Sequence, residues 1–214
     1  MVKAFVHKEG TGPFACNTYV VGKIGGSCLV IDPGTTEDSL IHYIEKHYDK
    51  ISGILLTHAH FDHIRGIEKL KKAFRDRDIP VYLHPLDREL LNDAEKNSSL
   101  MLGDNVRVNI DTVDIKDKEI LPIRDFTVRV IHTPFHTKGS VCYLFDDDNA
   151  LFTGDTLFEG SIGRHDLDTS EPEKIDESLK KLLPLRKTLV IYPGHGSMTT
   201  LEREKEHNPF LQGL

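Results

Sequence analysis

Apolar residues along the chain fall into short runs of strand length that alternate with stretches of helical period, a pattern that predicts a layered α/β protein. "NTYVVG" and "SCLVIDPG" read as two strands joined through Gly25 and Gly26. The second closes on Asp32, Pro33 and Gly34, which leaves a carboxylate at a strand end. "TEDSLIHYIEKHYDK" then sets Leu40, Ile41, Ile44 and Tyr48 on one helical face, with His42 and His47 off it as surface residues. "SGILLT" is a short buried strand that runs directly into "HAHFDH", and after it Ile67, Leu70 and Phe74 recur at helical spacing in "GIEKLKKAF". The histidine cluster is therefore expected in a strand-to-helix loop.

Short strands continue from "PVYLH" through "ILPIRDFTVRVIHTPFH", with a helix predicted at "LDRELLNDAEK" and a half-buried strand at "FTVRVIH" that again ends in histidine. "VCYLFDDDNALFTGDT" reads as a hairpin turning at Asp146 to Asn149, and its second strand delivers Asp155 just past a glycine. "SEPEKIDESLKKLL" opens on a capping box, Ser170 with Glu173, and turns Ile175, Leu179, Leu182 and Leu183 inward. "TLVIYPGHG" is a strand ending at His195, followed by a capped helix from Thr199. With no linker, low-complexity segment or short-period repeat, residues 1–214 read as one domain.

Composition narrows the classes. At 214 residues and 38% hydrophobic content the chain can bury a real core. The net charge of -7 leaves no basic patch for tracking phosphates, and the richest basic run, "KLKKAFRDR", reads as the solvated face of a helix, so nucleic acid is not an expected partner. Cys16, Cys28 and Cys142 stand far apart with no Cys-x-x-Cys pair, as reduced core thiols do. "MVKAFVHKEG" lacks a signal-type apolar segment and no run is long enough to span a membrane, so a cytoplasmic protein with no membrane association is expected. The oligomeric state is left open.

The candidate chemistry lies where strands end. His58, His60, Asp62 and His63, then His136, Asp155 and His195, follow four separate apolar runs, and loops on one rim of a sheet converge in space. Five imidazoles and two carboxylates exceed what one tetrahedral ion uses and suit two. Because a carboxylate bridges through its two oxygens, Asp155 is the natural shared ligand. A set of nitrogen and oxygen donors without thiolate admits zinc as the first expectation, with iron or manganese as alternatives.

"THAHFDH", "HTPFHTKGS", "LFTGDTLFEGSIGRHD" and "YPGHG", in this order and with "NPFL" near the end, resemble the successive metal motifs of the metallo-β-lactamase fold superfamily. They are most similar to its small glyoxalase II (hydroxyacylglutathione hydrolase)-like members. The resemblance implies a four-layer αβ/βα sandwich with the site at its edge. It assigns His58, His60 and His136 to a first divalent metal ion, Asp62, His63 and His195 to a second, and Asp155 to the bridge. It further implies hydrolysis of a small thioester by a metal-bridging hydroxide, with Asp62 orienting the nucleophile. Asp32 and Thr57 are placed behind the ligands, and Arg164 with His165 and Asp166 in a loop near them.

Two departures from the family pattern carry expectations. Glyoxalase II enzymes have a C-terminal helical domain that helps hold glutathione, whereas 19 residues follow His195 here, so weak selection for the glutathione carrier is expected. Phe135 replaces the glycine that usually precedes the third histidine, and its ring either lines the substrate cleft or packs into the core. Competing readings are a persulfide dioxygenase, with one iron held by His58, His136 and Asp155, and a non-catalytic scaffold of the same fold. Acidic charge opposes a nuclease, and Asp155 with His63 departs from the common lactamase ligand pattern. His7, His84, His132 and His207 are read as structural or exposed.

Overall fold

The core strands are apolar on both faces, and this forces a layer onto each side of each sheet. The computed structural model describes residues 3–8, 16–75 and 78–214, and for residues 3–8 the backbone alone. The first sheet runs in chain order through β1 (Lys3–Lys8), β2 (Asn17–Gly22), β3 (Ser27–Ile31), β4 (Lys50–Leu55), β5 (Val81–Leu83) and β6 (Val113–Asp114). Its first three strands pair antiparallel and the rest parallel. The second sheet contains β7 (Arg129–His132), β8 (Val141–Phe145), β9 (Ala150–Gly154), β10 (Val190–Pro193) and β11 (Thr199–Thr200), in the spatial order β11-β10-β9-β8-β7. It too is mixed, with β9 and β10 parallel.

Alternation along single strands assigns three cores. Tyr19, Val21, Leu29 and Ile31 of the first sheet meet Val130, Tyr143 and Phe152 of the second in a cluster between the sheets. Their neighbours Val20, Cys28 and Val30 face outward, onto Leu40 and Ile44 of α1 (Asp38–His47) and Ile67 and Leu70 of α3 (Ile67–Ala73). On the far side Cys142, Leu144, Leu151 and Ile191 pack against Leu179 of α4 (Ile175–Lys180) and Leu201 of α5 (Leu201–His207). The expected four-layer arrangement of helices, two sheets and helices results. All three cysteines are buried free thiols. No helix among the described residues is long and apolar enough to cross a membrane.

Three local expectations are corrected. The stretch predicted as a helix over "LDRELLNDAEK" is a 3-10 turn, Pro85–Asn92. It stops where the Asp93 carboxylate accepts the backbone N–H groups of Glu95 and Lys96 and turns the chain. Ser170 forms no capping box with Glu173. Its hydroxyl donates to the His136 carbonyl at 2.9 Å, and a 3-10 turn at Pro172–Lys174 leads into α4. The last helix begins at Leu201 and not at Thr199, which pairs in β11; Thr200 caps the helix by accepting from Arg203 N.

Candidate metal centre

The C-terminal ends of β3, β4, β7, β9 and β10 meet along one edge of the two sheets, where Val141 N donates to Thr57 O and Asn17 N donates to Gly194 O. His58 and His60 lie in the loop after β4, Asp62 and His63 on the single turn α2 (Phe61–Ile64). His136 follows β7, Asp155 directly follows β9, and His195 follows β10. Three groups of ligand-type atoms form here, each with all atoms within 4.8 Å: His58, His60 and His136; His58, His63 and Asp155; and Asp62, His63 and His195. Asp155 stands among them, with Oδ1 3.4 Å from His63 Nε2 and Oδ2 3.4 Å from His136 Nε2 and 3.5 Å from His195 Nε2.

The imidazoles are held from behind. Thr57 Oγ1 lies 3.1 Å from His58 Nδ1, Asp32 Oδ2 lies 3.0 Å from His63 Nδ1, His136 Nδ1 donates to the Arg164 carbonyl at 2.7 Å, and Thr169 Oγ1 is 3.5 Å from His60 Nε2. Each of these rings thus turns its other nitrogen to the common space. His58 Nε2, His63 Nε2 and Asp155 Oδ1 are buried there without a hydrogen-bond partner, while His60 Nδ1 and His136 Nε2 approach to 2.9 Å. Orphaned donor atoms on anchored imidazoles are what a cation would satisfy, and the residues fit a His-rich centre for two metal ions.

Protonation differs between the two sides of the centre. Burial dominates at His58, His60 and His136, whereas at His63 and His195 burial is outweighed by the neighbouring acidic groups and both are raised, so a cation there would displace protons. Burial holds His58 well below the ordinary imidazole range, brings His60 down to about 3 and also lowers His136, so all three carry the free lone pairs that ligation needs. Burial would raise the carboxyls of Asp155 and Asp62. The surrounding imidazoles outweigh it, His195, His63 and His136 at Asp155 and His63 and His195 at Asp62, and keep both carboxylates ionised. His195 is the accessible member, with 23% of its side chain exposed, and marks the mouth of the site.

The residues expected behind the ligands have distinct places. Asp32 accepts Thr57 N and Thr57 Oγ1, each at 2.7 Å, and so holds Thr57 against His58 while its own carboxylate meets His63. Arg164 contributes its carbonyl to His136, whereas its guanidinium is exposed and paired with Asp166. Phe135 is fully buried among Ile131, Cys142 and Leu144, so its ring packs in the core and does not line the cleft; its φ is not positive, and no glycine is required there. Of the remaining histidines, His84 and His132 stack with ring centroids 4.1 Å apart, and His207 is exposed beside Glu206. The side chain of His7 lies outside the described residues.

Several supports escaped the sequence reading. Asn17 Nδ2 donates to the carbonyls of Pro193 and Gly196, each at 3.0 Å, and the Tyr19 hydroxyl donates to the Pro193 carbonyl at 2.6 Å, which clamps the turn carrying His195. Thr169 and Ser170 close over His60 and His136. Nothing local in the sequence marks these residues, because each partner is distant in the chain. Beside the centre opens a cleft of about 670 Å³, lined by Leu86, Leu90, Met101, Lys138, Arg164 and Thr169.

The sequence matches the family model described as Metallo-beta-lactamase superfamily over residues 11–195. It is 37% identical over 206 residues to "Probable metallo-hydrolase YqgX" of Bacillus subtilis, covering 95% of each chain. It is 34% identical over 188 residues to hydroxyacylglutathione hydrolase GloC of Haemophilus influenzae, covering 86% of this chain and 87% of that one. Among solved structures, BLEG-1 B3 metallo-beta-lactamase superposes with a TM-score of 0.87 at 37% identity, covering 98% of this chain and all of that one. TTHA1623 in a di-iron-bound form superposes with a TM-score of 0.82 at 34% identity, covering 96% of this chain and all of that one.

Proposed function

The chain belongs to the metallo-beta-lactamase superfamily, and from that premise we propose that it is a two-metal hydrolase of small thioesters of the hydroxyacylglutathione type. The observation that carries this reading is the second group, Asp62, His63 and His195, complete beside the first and joined to it through Asp155. A mononuclear iron dioxygenase held by His58, His136 and Asp155 has no use for it. The name of GloC supports the thioester, since that relative is matched over most of its own length. The di-iron form of TTHA1623 supports iron beside zinc or manganese as the occupant.

His58, His60 and His136 would hold one ion, Asp62, His63 and His195 the other, and Asp155 would contact both. Two such cations supply a water that ionises near neutral pH and a grip on a carbonyl oxygen. The chain does the rest. Asp62, ionised and 3.2 Å from His195 Nε2, lies on the mouth side and orients the attacking water by accepting its hydrogen bond. The clamps behind the histidines fix these positions in advance, so little reorganisation accompanies attack. The acyl group reaches the centre past His195, and the cleft lined by Leu86 and Met101 receives the part of the substrate that does not react.

One observation favours a second reading. BLEG-1, called a B3 metallo-beta-lactamase, is as similar in sequence as the hydrolase relatives, so lactam opening by the same nucleophile is the alternative. Metal analysis of purified protein, beside hydrolysis rates for S-lactoylglutathione, a matched thioester series and a chromogenic cephalosporin, tests both. The proposal expects close to two ions per chain, thioester turnover abolished by chelation and restored by added metal, and a fall of orders of magnitude in Asp62→Ala with the fold retained. Faster turnover of the cephalosporin would transfer the assignment to lactams. A single iron with oxygen consumption on glutathione persulfide would overturn hydrolysis altogether.

A further inference from the structure

Asp87 has no solvent exposure and sits in the 3-10 turn Pro85–Asn92, a stretch of chain that itself supplies no ligand-type group to the centre. Its Oδ2 accepts Ala59 N at 3.1 Å and Thr137 Oγ1 at 2.7 Å, and its Oδ1 accepts Gly139 N at 2.7 Å. Ala59 lies between His58 and His60, and Thr137 directly follows His136. One carboxylate therefore ties the loop after β4 in the first sheet to the loop after β7 in the second. The approach is close: a Cβ on Gly139 would stand 2.6 Å from Asp87 Oδ1.

The chemistry of the partners is informative. Two are backbone N–H groups and the third is a hydroxyl that donates, so the site matches an ionised, acceptor-only carboxylate. Taking that charge out of water is costly even when its bonds are made, and a turn that only had to pack would not require it. The need arises at the histidines. His60 Nδ1 and His136 Nε2 are 2.9 Å apart and come from the two loops in question. With both nitrogens turned to one cation they repel each other and form no bond, so the loops must be held together from elsewhere.

We infer that Asp87 is a positioning residue that sets the spacing of His58, His60 and His136 and thereby the affinity of the first cation site. The inference rests on the two-metal reading above. Its test uses the intact chain with cobalt(II) as the probe. His195→Ala serves as the reference, since it removes a member of the second group and leaves chelator competition to read the first. Asp87→Asn keeps the shape but turns an amide N–H toward one donor, and Thr137→Val removes one of the three bonds to Asp87 together with the 2.8 Å contact of that hydroxyl with Ser140 Oγ.

In the metal-free state, far-UV circular dichroism and melting establish that each variant folds. The expected result is cobalt affinity about 10- to 100-fold below the reference in Asp87→Asn, a smaller loss in Thr137→Val, and an altered visible cobalt spectrum in both. A role confined to folding would lower the melting temperature and leave spectrum and affinity alone. Reference affinity and an unchanged spectrum in the folded variants would overturn the inference, and should Asp87→Asn not fold, Thr137→Val decides. Two ions in the His195→Ala reference would instead sink the two-site reading, and this inference with it.

Discussion

Gly194 faces the Asp155 carboxylate so closely that a Cβ at this glycine would stand 2.2 Å from Asp155 Oδ1 and 2.8 Å from His63 Cε1. The turn that carries His195 is thus shaped around a carboxylate whose oxygens lie within 3.5 Å of His63, His136 and His195. Gly194→Ala should displace Asp155 or His63 and lower bound metal below one ion per chain, with turnover reduced by orders of magnitude. Elemental analysis after gel filtration is the check. A fully loaded, active Gly194→Ala protein would show that the carboxylate has room to move.

Phe135 should behave as a core residue. Truncation to alanine is expected to lower stability by about 3–5 kcal/mol, the usual range for a buried phenyl ring, with metal content and relative rates on a thioester series unchanged. Denaturant melts and matched kinetics separate the outcomes, because a changed substrate profile at little cost in stability would place the ring at the cleft.

Asp32→Ala removes the acceptor for two bonds from Thr57 and the carboxylate charge 3.0 Å from His63 Nδ1. The orphaned Thr57 N–H alone should cost about 1–3 kcal/mol, and loss of ring orientation should weaken metal binding by roughly 10- to 100-fold. Thr57→Val, which keeps the backbone bond to Asp32, should be milder in stability. Equal metal affinity in wild type and Asp32→Ala would refute the orienting role.

His84 supplies a pH dependence away from the centre. Burial, and then the stacked His132 imidazole, bring its pKa down to about 4 against the opposing charges of Asp114 and Asp117. An imidazole held neutral in the fold and ordinary, near 6.5, when unfolded stabilises fully above about pH 6.5 and loses that contribution as pH falls toward 4. The loss should be on the order of 1–2 kcal/mol once solvent screening is allowed for. Melting the metal-free wild type and His84→Phe between pH 7 and pH 4 tests this: the variant should lose less stability over the interval, and parallel curves would exclude His84 as a source.

Much of this architecture could be read from residue order. Strands such as "SCLVI" and "VCYLF" lack polar alternation, and buried on both faces they require layers on either side. The ligand-type side chains stood out because each follows such a run. The supports did not, since Asn17 acts on Pro193 and Gly196, Thr169 on His60 and Asp87 on Ala59 and Thr137, all across distances in sequence that no local period records. Ser170 and Glu173 had the spacing of a cap, but the nearby carbonyl of His136 took the serine hydroxyl. Local rules miss such competition from tertiary partners.

The centre draws His58, His60, Asp62 and His63 from one sheet and His136, Asp155 and His195 from the other. The full set of ligand-type groups is complete only when the two sheets have docked. Ions bound there would clasp the seam and close the long stretch of chain between residues 58 and 195, whose freedom the unfolded state would otherwise regain. The lifetime of the native state should therefore be governed by how fast the cations leave.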